Sequence, residues 1–359
     1  MAKFDIVFEG GGAKGAAFAG ALEVLFTAGH THRRLIGTSA GAITATLLGA
    51  GYSAAELLDA VNETLPGTNT PVFTTFMDPP EVTDFDKAVV DNSVTMDLLN
   101  KAHLPGVVKN PVIHGLLDVD LYRELFSFTE CGGFYSGTAF LAWFRKKLET
   151  KHIDPDITWK DFSLPIRPDV SVLTTDVDDH EMVVLNARTA PNIPVAMSVR
   201  MSMSIPFVWR EIVWDASWGT YRDKVKTGHR FVDGGVLSNF PIRLIADADP
   251  ETAKIMGDVD PAAAGNLGFL LDEGIMVAGI GPSDTRRPRL RTADRVTRLV
   301  DTMMGSNDAD AMRSHPSAVC RIPVGGYGTT EFRMSKERMD ALIESGRQAM
   351  RGYLREHFR

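Results

Sequence analysis

The first fifty residues contain two glycine-rich turns, and each joins a short apolar run to a segment of helical character. The first run, Phe4–Phe8, leads through Gly10–Gly15 into the small-residue segment Ala13–Ala28. The second, Leu35–Thr38, leads through a single serine into Ala40–Ala50. An apolar run, a tight turn and a helix make one strand–turn–helix unit. We therefore expect two such units side by side in a parallel sheet.

The alternation of strand and helix continues along the rest of the chain. Apolar runs predict further strands at Val170–Thr174, Met182–Leu185, Phe207–Val213, Arg230–Val232, Ile275–Ile280 and Val319–Val324. Helices are predicted from Ser136 to Leu148 and, after a Ser335 cap, through Leu354. This order is typical of one α/β domain with a mostly parallel sheet, here spanning residues 1–359.

One part of the chain departs from this regular pattern. From Pro66 to Gly115 the sequence is irregular and rich in Pro, Thr, Asp and Asn. Two interpretations stay open, a cap or lid inserted into the domain and a long connection between helices. We place the possible insertion at about residues 66–130.

Composition narrows the classes of partner. The 359 residues carry a net charge of −8, with 44% hydrophobic and 23% charged residues, which is the balance of an ordinary globular protein. Nucleic-acid binding usually needs clustered Lys and Arg, so we expect no nucleic-acid partner. Two cysteines in a chain of this length argue against a fold organised by disulfides.

Membrane contact is expected to be peripheral. No apolar window reaches the ~18 residues that suggest a membrane span, and the N-terminus lacks the pattern of a signal peptide. We therefore expect a cytoplasmic protein that associates with membranes at their surface. Two candidate contacts are the basic run Arg286–Arg291 and the group Trp209, Trp214 and Trp218. The alternatives are a solvated loop and core packing, respectively.

The first glycine-rich turn is a candidate anion site. It reads Gly10, Gly11, Gly12, Ala13, Lys14, Gly15, and successive N–H groups at the start of a helix can point at an anion. The same letters fit the dinucleotide fingerprint G-x-G-x-x-G, which also needs an acidic residue about 20 positions on. The second strand ends without one, and the Gly-Lys-Ser/Thr ending of a Walker loop is missing. A nucleotide- or phosphate-binding module is the alternative outside the enzymes.

The second turn carries a candidate nucleophile. Gly37-Thr38-Ser39-Ala40-Gly41 matches G-x-S-x-G, the nucleophile elbow. Glycines on both flanks suit a tight, strained turn in which a side chain would meet neighbouring backbone. The N–H of Ala40 can then join those of Gly11 and Gly12 in the first turn in binding an oxyanion. One such donor lowers the activation free energy by ~3 kcal/mol. Read alone, the string also fits an N-capping serine.

A base is required because a free serine hydroxyl is a poor nucleophile near neutral pH. Asp233 follows a short apolar strand and precedes Gly234 and Gly235. Asp-Gly is also a common turn dipeptide. With a reference pKa of ~3.9, an aspartate must be partly desolvated to act as an efficient base.

A Ser-His-Asp hydrolase is the closest alternative among enzymes. In its chain order the histidine follows the acid, and His315 and His357 qualify by position. Neither lies in a recognisable loop motif, so a dyad of Ser39 and Asp233 is the preferred interpretation.

In this order the three strings resemble the patatin-like phospholipase family. That family has a Gly-Gly-Gly-x-Lys/Arg-Gly oxyanion loop, a G-x-S-x-G nucleophile and an Asp-Gly-Gly base, as found here. The similarity extends to the block Ser202–Pro206, small residues and then proline, and to the closing region Thr329–Leu354. Thr68–Gly115 is the part that the resemblance does not cover.

The resemblance implies a fold, a reaction and roles for residues. The fold is a three-layer α/β/α sandwich, and the reaction is hydrolysis of acyl esters in membrane lipids, of the phospholipase A or lysophospholipase type. An acyl-enzyme forms on Ser39, with Asp233 as its partner in a dyad without His and with no metal or cofactor. Gly11 and Gly12 would be the oxyanion donors, and Lys14 would support their loop. Glycines that would shape the supporting loops are Gly10, Gly15, Gly37, Gly41, Gly234 and Gly235.

Regulation by an activating partner or ligand is a further expectation. An uncontrolled lipase would damage the membranes of its own cell, so we expect the activity to depend on another molecule.

Overall fold

The computed structural model describes residues 1–85, 87–101, 115–247, 250–257, 265–281 and 315–358, with isolated positions 299 and 302. The strands are β1 (Lys3–Phe8), β2 (Thr31–Thr38), β3 (Gly133–Tyr135), β4 (Asp169–Asp176), β5 (Glu181–Leu185), β6 (Phe207–Trp209), β7 (Ile212–Val213), β8 (Thr220–Tyr221), β9 (Lys224–Val225), β10 (Arg230–Asp233), β11 (Asn266–Met276) and β12 (Val319–Gly325). The helices are α1 (Ala16–Thr27), α2 (Ala40–Gly49), α3 (Ala54–Val61), α4 (Lys87–Asp91), α5 (Val94–Lys101), α6 (Asp120–Glu130), α7 (Thr138–Thr150), α8 (Trp159–Phe162), α9 (Val195–Ser202), α10 (Arg243–Ala246), α11 (Pro250–Met256) and α12 (Lys336–His357).

A mixed sheet lies at the centre of the molecule. Its strand order is β12-β11-β1-β2-β4-β10-β7, with β5 also paired to β4. The strands from β12 to β4 are parallel to one another, whereas β10 and β5 run antiparallel to β4. The prediction of a mostly parallel sheet is confirmed. The two glycine-rich turns follow the adjacent strands β1 and β2, and they therefore meet at the same edge of the sheet.

Side chains on the two faces of the sheet belong to different hydrophobic clusters. Along β1, Ile6 and Phe8 enter one cluster and Val7 enters the other, as the alternation of a strand requires. The larger cluster includes residues of α1, α2 and α12, and the smaller one includes Ile245 of α10 and Met256 of α11. Strands covered on both faces read as continuous apolar runs. This arrangement confirms the three-layer α/β/α fold.

Capping residues define where two of the helices begin. Ser53 and Glu56 form a capping box at the start of α3, with the Ser53 hydroxyl accepting from the Glu56 N–H at 3.3 Å. Ser335 accepts from the Arg338 N–H at 3.4 Å and caps α12, as predicted. From there α12 runs for 22 residues, burying Leu342 and other apolar side chains against α1.

The structure corrects several element boundaries. The strand predicted at Ile275–Ile280 is wrong, because β11 spans Asn266–Met276 and overlaps it only at its last two residues. Ile275 and Met276 are 43% and 52% exposed, whereas the strand's buried side chains lie between Leu267 and Leu271. The run predicted as one strand from Phe207 divides into β6 and β7. Helix α7 begins two residues after the predicted Ser136, because Gly137 is left-handed, with φ 71°.

The irregular segment contains short helices with a small core of their own. Among its described residues, Phe85, Val90, Met96, Leu117 and Phe126 form a hydrophobic cluster separate from the two at the sheet. Before this cluster, the 3₁₀ turn Val72–Phe76 packs against α7 instead. Whether the segment at about residues 66–130 acts as a cap or lid stays a prediction.

None of the helices that the structure describes combines the length and the apolar sequence that crossing a bilayer requires.

Candidate active site

Ser39 stands on a strained turn between β2 and α2. Its φ of 53° lies in the left-handed region that non-glycine residues rarely adopt, and such strain is found at functional sites. A Cβ at Gly37 would overlap the backbone of Gly41, and a Cβ at Gly41 would overlap the carbonyl of Phe8. Both glycines are therefore required for the turn, as the sequence predicts.

Helix α9 and the residues after it support both candidate catalytic residues. The Ser39 N–H donates to Ser202 Oγ at 2.9 Å, and the Asp233 N–H donates to the Ser204 carbonyl at 2.9 Å. The block Ser202–Pro206 thus links the two chemical groups across the site. Sequence reasoning noted this block only as part of a family resemblance, because a bond between residues 163 positions apart leaves no local signal.

Asp233 ends β10 with its side chain wholly buried. Burial raises the pKa of this carboxyl to about 7, opposed by the Ser39 side chain and by the Gly235 N–H, which donates to Oδ1 at 2.8 Å. The other oxygen, Oδ2, has no hydrogen-bond partner among the described residues. Gly234 lets the backbone pass close to the Leu173 carbonyl of β4.

The first glycine-rich turn leaves two amides pointing to no acceptor. The Gly10 N–H donates to the Asn239 carbonyl at 3.1 Å, and the Ala13 N–H donates to the Thr329 carbonyl at 2.9 Å. Within the described chain, the amides of Gly11 and Gly12 between them have no such acceptor. Gly12 has φ 55°, and a Cβ there would overlap the Thr329 carbonyl oxygen.

The two turns also approach each other directly. A Cβ at Gly15 would lie 2.6 Å from the Cβ of Ala40, so glycine is needed for this contact. Ala40 is the first residue of α2, whose N-terminus carries a partial positive charge and free N–H groups. The structure thus brings Ser39, Ala40 and the glycine loop together, as the motifs predict.

Lys14 holds the glycine loop to the C-terminal part of the chain. Its side chain is 3% exposed; Nζ donates to Glu273 at the end of β11 and to Thr329 Oγ1 at 3.1 Å. The support that Lys14 is predicted to give the loop would therefore consist of an ion pair and a hydrogen bond.

Asn239 is a residue of the site that sequence reasoning did not identify. Its Nδ2 donates to the buried Glu9 carboxylate at 3.2 Å and to the Gly10 carbonyl at 3.1 Å. Its Oδ1 lies beside Gly10, where a glycine Cβ would overlap it. The only available sequence signal was its position six residues after Asp233.

An apolar cleft opens in front of Ser39. It holds about 700 Å³ of space outside the protein atoms, including its open mouth. The glycine loop and Ser39 form one side, and the rest is formed mainly by apolar side chains, including Phe76, Phe140, Ile205, Trp209, Phe332 and Met334. Ligand sites are typically clefts of this kind with a few polar groups at one end.

Neither histidine of the alternative triad lies at this cleft. His315 Nε2 is 3.5 Å from Asp247 Oδ1, and the His357 ring packs on Tyr353 with centroids 4.5 Å apart. Among the residues that the structure describes, no histidine hydrogen-bonds Ser39 or contributes to the pKa of Asp233.

One described group has the geometry of a metal site, away from Ser39. Ligand atoms of Asp176, Asp179 and His229 lie within 4.8 Å of one another. The ammonium of Lys226 is 2.7 Å from Asp176 and 2.6 Å from Asp179, so a cation already lies between these carboxylates. The group is therefore better described as an internal ion-pair cluster.

Of the two candidate membrane contacts, the tryptophan group and the basic run, the structure describes only the first. Trp209 and Trp214 are each 1% exposed, so core packing explains them and they are not an interfacial patch. The basic run Arg286–Arg291 lies outside the described residues.

Several known proteins are similar to this chain in sequence or in fold. A family model described as Patatin-like phospholipase matches residues 6–246. The chain is 28% identical over 362 residues to a Bacillus subtilis (strain 168) protein named Uncharacterized protein YqhO, covering 98% of both chains. The crystal structure of VipD from Legionella pneumophila has a similar fold, with TM-score 0.52 and 17% identity over 99% of this chain and 67% of VipD. ExoU from Pseudomonas aeruginosa gives TM-score 0.44 and 17% identity, over 99% of this chain and 53% of ExoU.

The region matched by the family model contains both glycine-rich turns, Ser39, Asp233 and Asn239. Because the match covers about two thirds of the chain, this protein belongs to the patatin-like phospholipase family.

Proposed function

We propose that this protein is a serine acyl hydrolase of the phospholipase A or lysophospholipase type, with Ser39 as nucleophile and Asp233 as base. Membership of the family supports lipid acyl hydrolysis. The finer assignment rests on one observation, a wholly buried carboxyl group with a pKa of about 7 that interacts with a serine on a strained turn. A base poised near the working pH is the most efficient.

In the first half of the reaction, Ser39 Oγ attacks the ester carbonyl carbon and its proton passes to the Asp233 carboxylate. The carbonyl oxygen becomes an oxyanion, for which the amides of Gly11, Gly12 and Ala40 are the proposed donors. Collapse of this intermediate breaks the bond to the alcohol oxygen, which takes the proton from Asp233. The alcohol leaves as the lysolipid, or as the glycerophosphodiester when the substrate is itself a lysolipid. An acyl-serine ester remains.

In the second half, water replaces the alcohol. Asp233 accepts a proton from the attacking water, and the same amides stabilise the second oxyanion. The acyl–Ser39 bond breaks, Ser39 Oγ recovers its proton from Asp233, and the fatty acid is released. Each half needs one base and one set of donors, so the dyad requires neither a histidine nor a metal.

A lipid substrate also implies where the protein works. The cleft is apolar and open at its mouth, so a lipid can enter it acyl end first from a bilayer or micelle surface. We therefore extend the proposal to transient, peripheral contact with membranes.

Labelling and hydrolysis together test the proposal. A fluorophosphonate should label the wild-type protein and not Ser39→Ala, and Ser39→Ala and Asp233→Asn should each lose at least about 10⁴-fold in kcat. His315→Ala and His357→Ala are the matched controls and should keep wild-type rates. If the Asp233 variant kept full activity while a histidine variant lost it, the dyad would be wrong.

The lipid class is read from the products. Release of fatty acid from diacyl phospholipids, lysophospholipids and neutral glycerides, each in mixed micelles, separates phospholipase A from lysophospholipase and general lipase activity. No hydrolysis of any lipid by a protein whose Ser39 is labelled would point to a non-lipid ester.

A further inference from the structure

Two neighbouring cavities share a common wall next to Ser39. The cleft in front of Ser39 and a smaller cavity of about 330 Å³ are both bordered by Ile43, Val61 and Phe73, together with Thr44 and Gly15. Ser39 borders only the first cavity. The second lies among α1, α2, α3 and α7, with Leu57, Ala60 and Trp143 on its far side.

The second cavity is suited to an apolar group alone. Its lining is made of aliphatic and aromatic side chains apart from Thr44, whose hydroxyl already donates to the Ala40 carbonyl at 3.2 Å. Its far side is fixed, because Trp143 Nε1 donates to Glu63 at 2.8 Å and Glu63 pairs with Lys147 at 2.7 Å. The 330 Å³ includes the space at its opening. A pocket lined in this way offers a polar head group no hydrogen-bond partner, so it favours a hydrocarbon chain.

Phe73 is the most exposed of four aromatic residues that pack together. Phe76, Phe140 and Trp143 are at most 9% exposed, whereas Phe73 is half-buried. Its ring meets Phe76 and Trp143 at centroid distances of 5.2 and 5.8 Å. It lies on the 3₁₀ turn Val72–Phe76 rather than on a long helix.

We propose that Phe73, with Ile43 and Val61, forms the wall that limits the length of the acyl chain accepted by Ser39. This inference rests on the proposed function. The first part of an acyl chain occupies the cleft at Ser39, and the wall stops it before the second cavity. Truncating Phe73 joins the two cavities, so that the end of a longer chain is buried in the second one.

The test compares esters of increasing chain length. For p-nitrophenyl esters from butyrate to palmitate, wild-type kcat/KM should rise by about fourfold per methylene while each added group is buried, and then level off. Phe73→Ala should move the levelling point to longer chains. It should also raise the palmitate-to-butyrate ratio of kcat/KM by roughly fifteenfold, the effect of burying about two further methylenes. Phe73→Leu, a milder change, should move the ratio in the same direction.

Two further variants locate the effect in the second cavity. Ala60 borders that cavity and not the Ser39 cleft, so adding Ala60→Leu to Phe73→Ala should return the ratio towards the wild-type value. Phe128 is half-buried like Phe73, packs on Phe134 with ring centroids 4.4 Å apart, and is in the lining of neither cavity. Phe128→Ala is therefore the matched aromatic control, and it should leave the levelling point unchanged. Thermal unfolding of each variant establishes that it is folded.

The outcomes distinguish this inference from the proposed function. An unchanged ratio in both folded Phe73 variants would overturn the proposed wall. The acyl chain would then be expected to run towards Met334 and Met339, where the cleft adjoins a third and larger cavity. If Ser39→Ala abolished hydrolysis in every background, that result would leave the proposed function standing. If hydrolysis did not depend on Ser39 at any chain length, the proposed function itself would fail.

Discussion

Asp176 and Asp233 lie on the paired strands β4 and β10, and both side chains are wholly buried. Burial acts to raise the pKa of each carboxyl group. At Asp176, hydrogen bonds from Lys226 and His229 outweigh burial, and the pKa is lowered. At Asp233 burial dominates and raises the pKa to about 7, and no charged side chain of the described residues opposes it.

The two carboxyl groups are equally buried, and within the described part of the chain only Asp176 has a cation beside it. The neighbouring cation, and not burial, therefore separates a structural carboxylate from a candidate base. Asp176 is covered by its own ion-pair partners, and its neighbour Asp179 is half exposed, so this cluster lies close to the surface. Asp233 faces Ser39 and backbone amides instead. A carboxylate held by an ammonium is a poor proton acceptor, whereas a desolvated one can exchange a proton near neutral pH.

The two aspartates should also affect stability with opposite signs. The lowered pKa of Asp176 contributes stability that is present above pH ~4 and is lost as the pH falls through the folded-state pKa. The raised pKa of Asp233 means that the folded protein keeps a proton that the unfolded chain releases. This residue therefore lowers stability as the pH rises from ~4 to about 7.

The largest expected effect comes from removing the cation of the first aspartate. Lys226→Met leaves the buried Asp176 carboxylate without its ammonium partner, with only His229 and two backbone N–H groups beside it. It should lower the free energy of unfolding by about 3–5 kcal/mol at pH 7. Chemical denaturation measures this loss. Lys224→Met is the matched control: its side chain is 65% exposed and 3.8 Å from Glu181, so its loss should stay below about 1 kcal/mol. Equal losses in the two variants would mean that the buried ion pair of Asp176 contributes no more to stability than an exposed one, and that a cation does not distinguish Asp176 from Asp233.

The next effect concerns the charge of the second aspartate. Asp233→Asn removes the cost of burying a carboxylate, so it should unfold at a higher free energy than the wild type by roughly 2–4 kcal/mol at pH 8 to 9. The difference should shrink as the pH is lowered from about 7 and level off below ~4, where the wild-type carboxyl becomes protonated in the unfolded state as well. A constant difference across this range would mean that the Asp233 pKa is not raised.

The smallest effect separates positioning from electrostatics. Ser202→Ala removes the acceptor of the Ser39 N–H and should lower kcat by about tenfold, or ~1.4 kcal/mol, because the strained turn loses one support. The rate should still rise with pH through about 7, since the Asp233 pKa is set by burial. Ser198→Ala, on the same helix but bonded to Trp159, is the control. A shifted midpoint in Ser202→Ala would show that Ser202 acts on the base.

Much of the candidate site could be predicted because its motifs are local. In each unit the strand and the helix lie within about fifteen residues of the glycine-rich turn that joins them. The positive φ of Ser39 follows from the short turn between β2 and α2. Parallel pairing of β1 with β2 then places both turns at one edge of the sheet. The sequence was less informative at β11, where the exposed residues Ile275 and Met276 resembled the start of a buried strand but form the end of one.

By itself, then, the sequence determined the order of strands and helices, the two turns and the chemical groups at their tips, since these depend on neighbours along the chain. Only the tertiary structure decided what those groups become. The pKa of Asp233 depends on desolvation by distant segments, and the support of the glycine loop comes from Thr329 and Asn239. The wall at Phe73 likewise exists only where separate helices leave space between them, because burial and cavities arise from packing between elements.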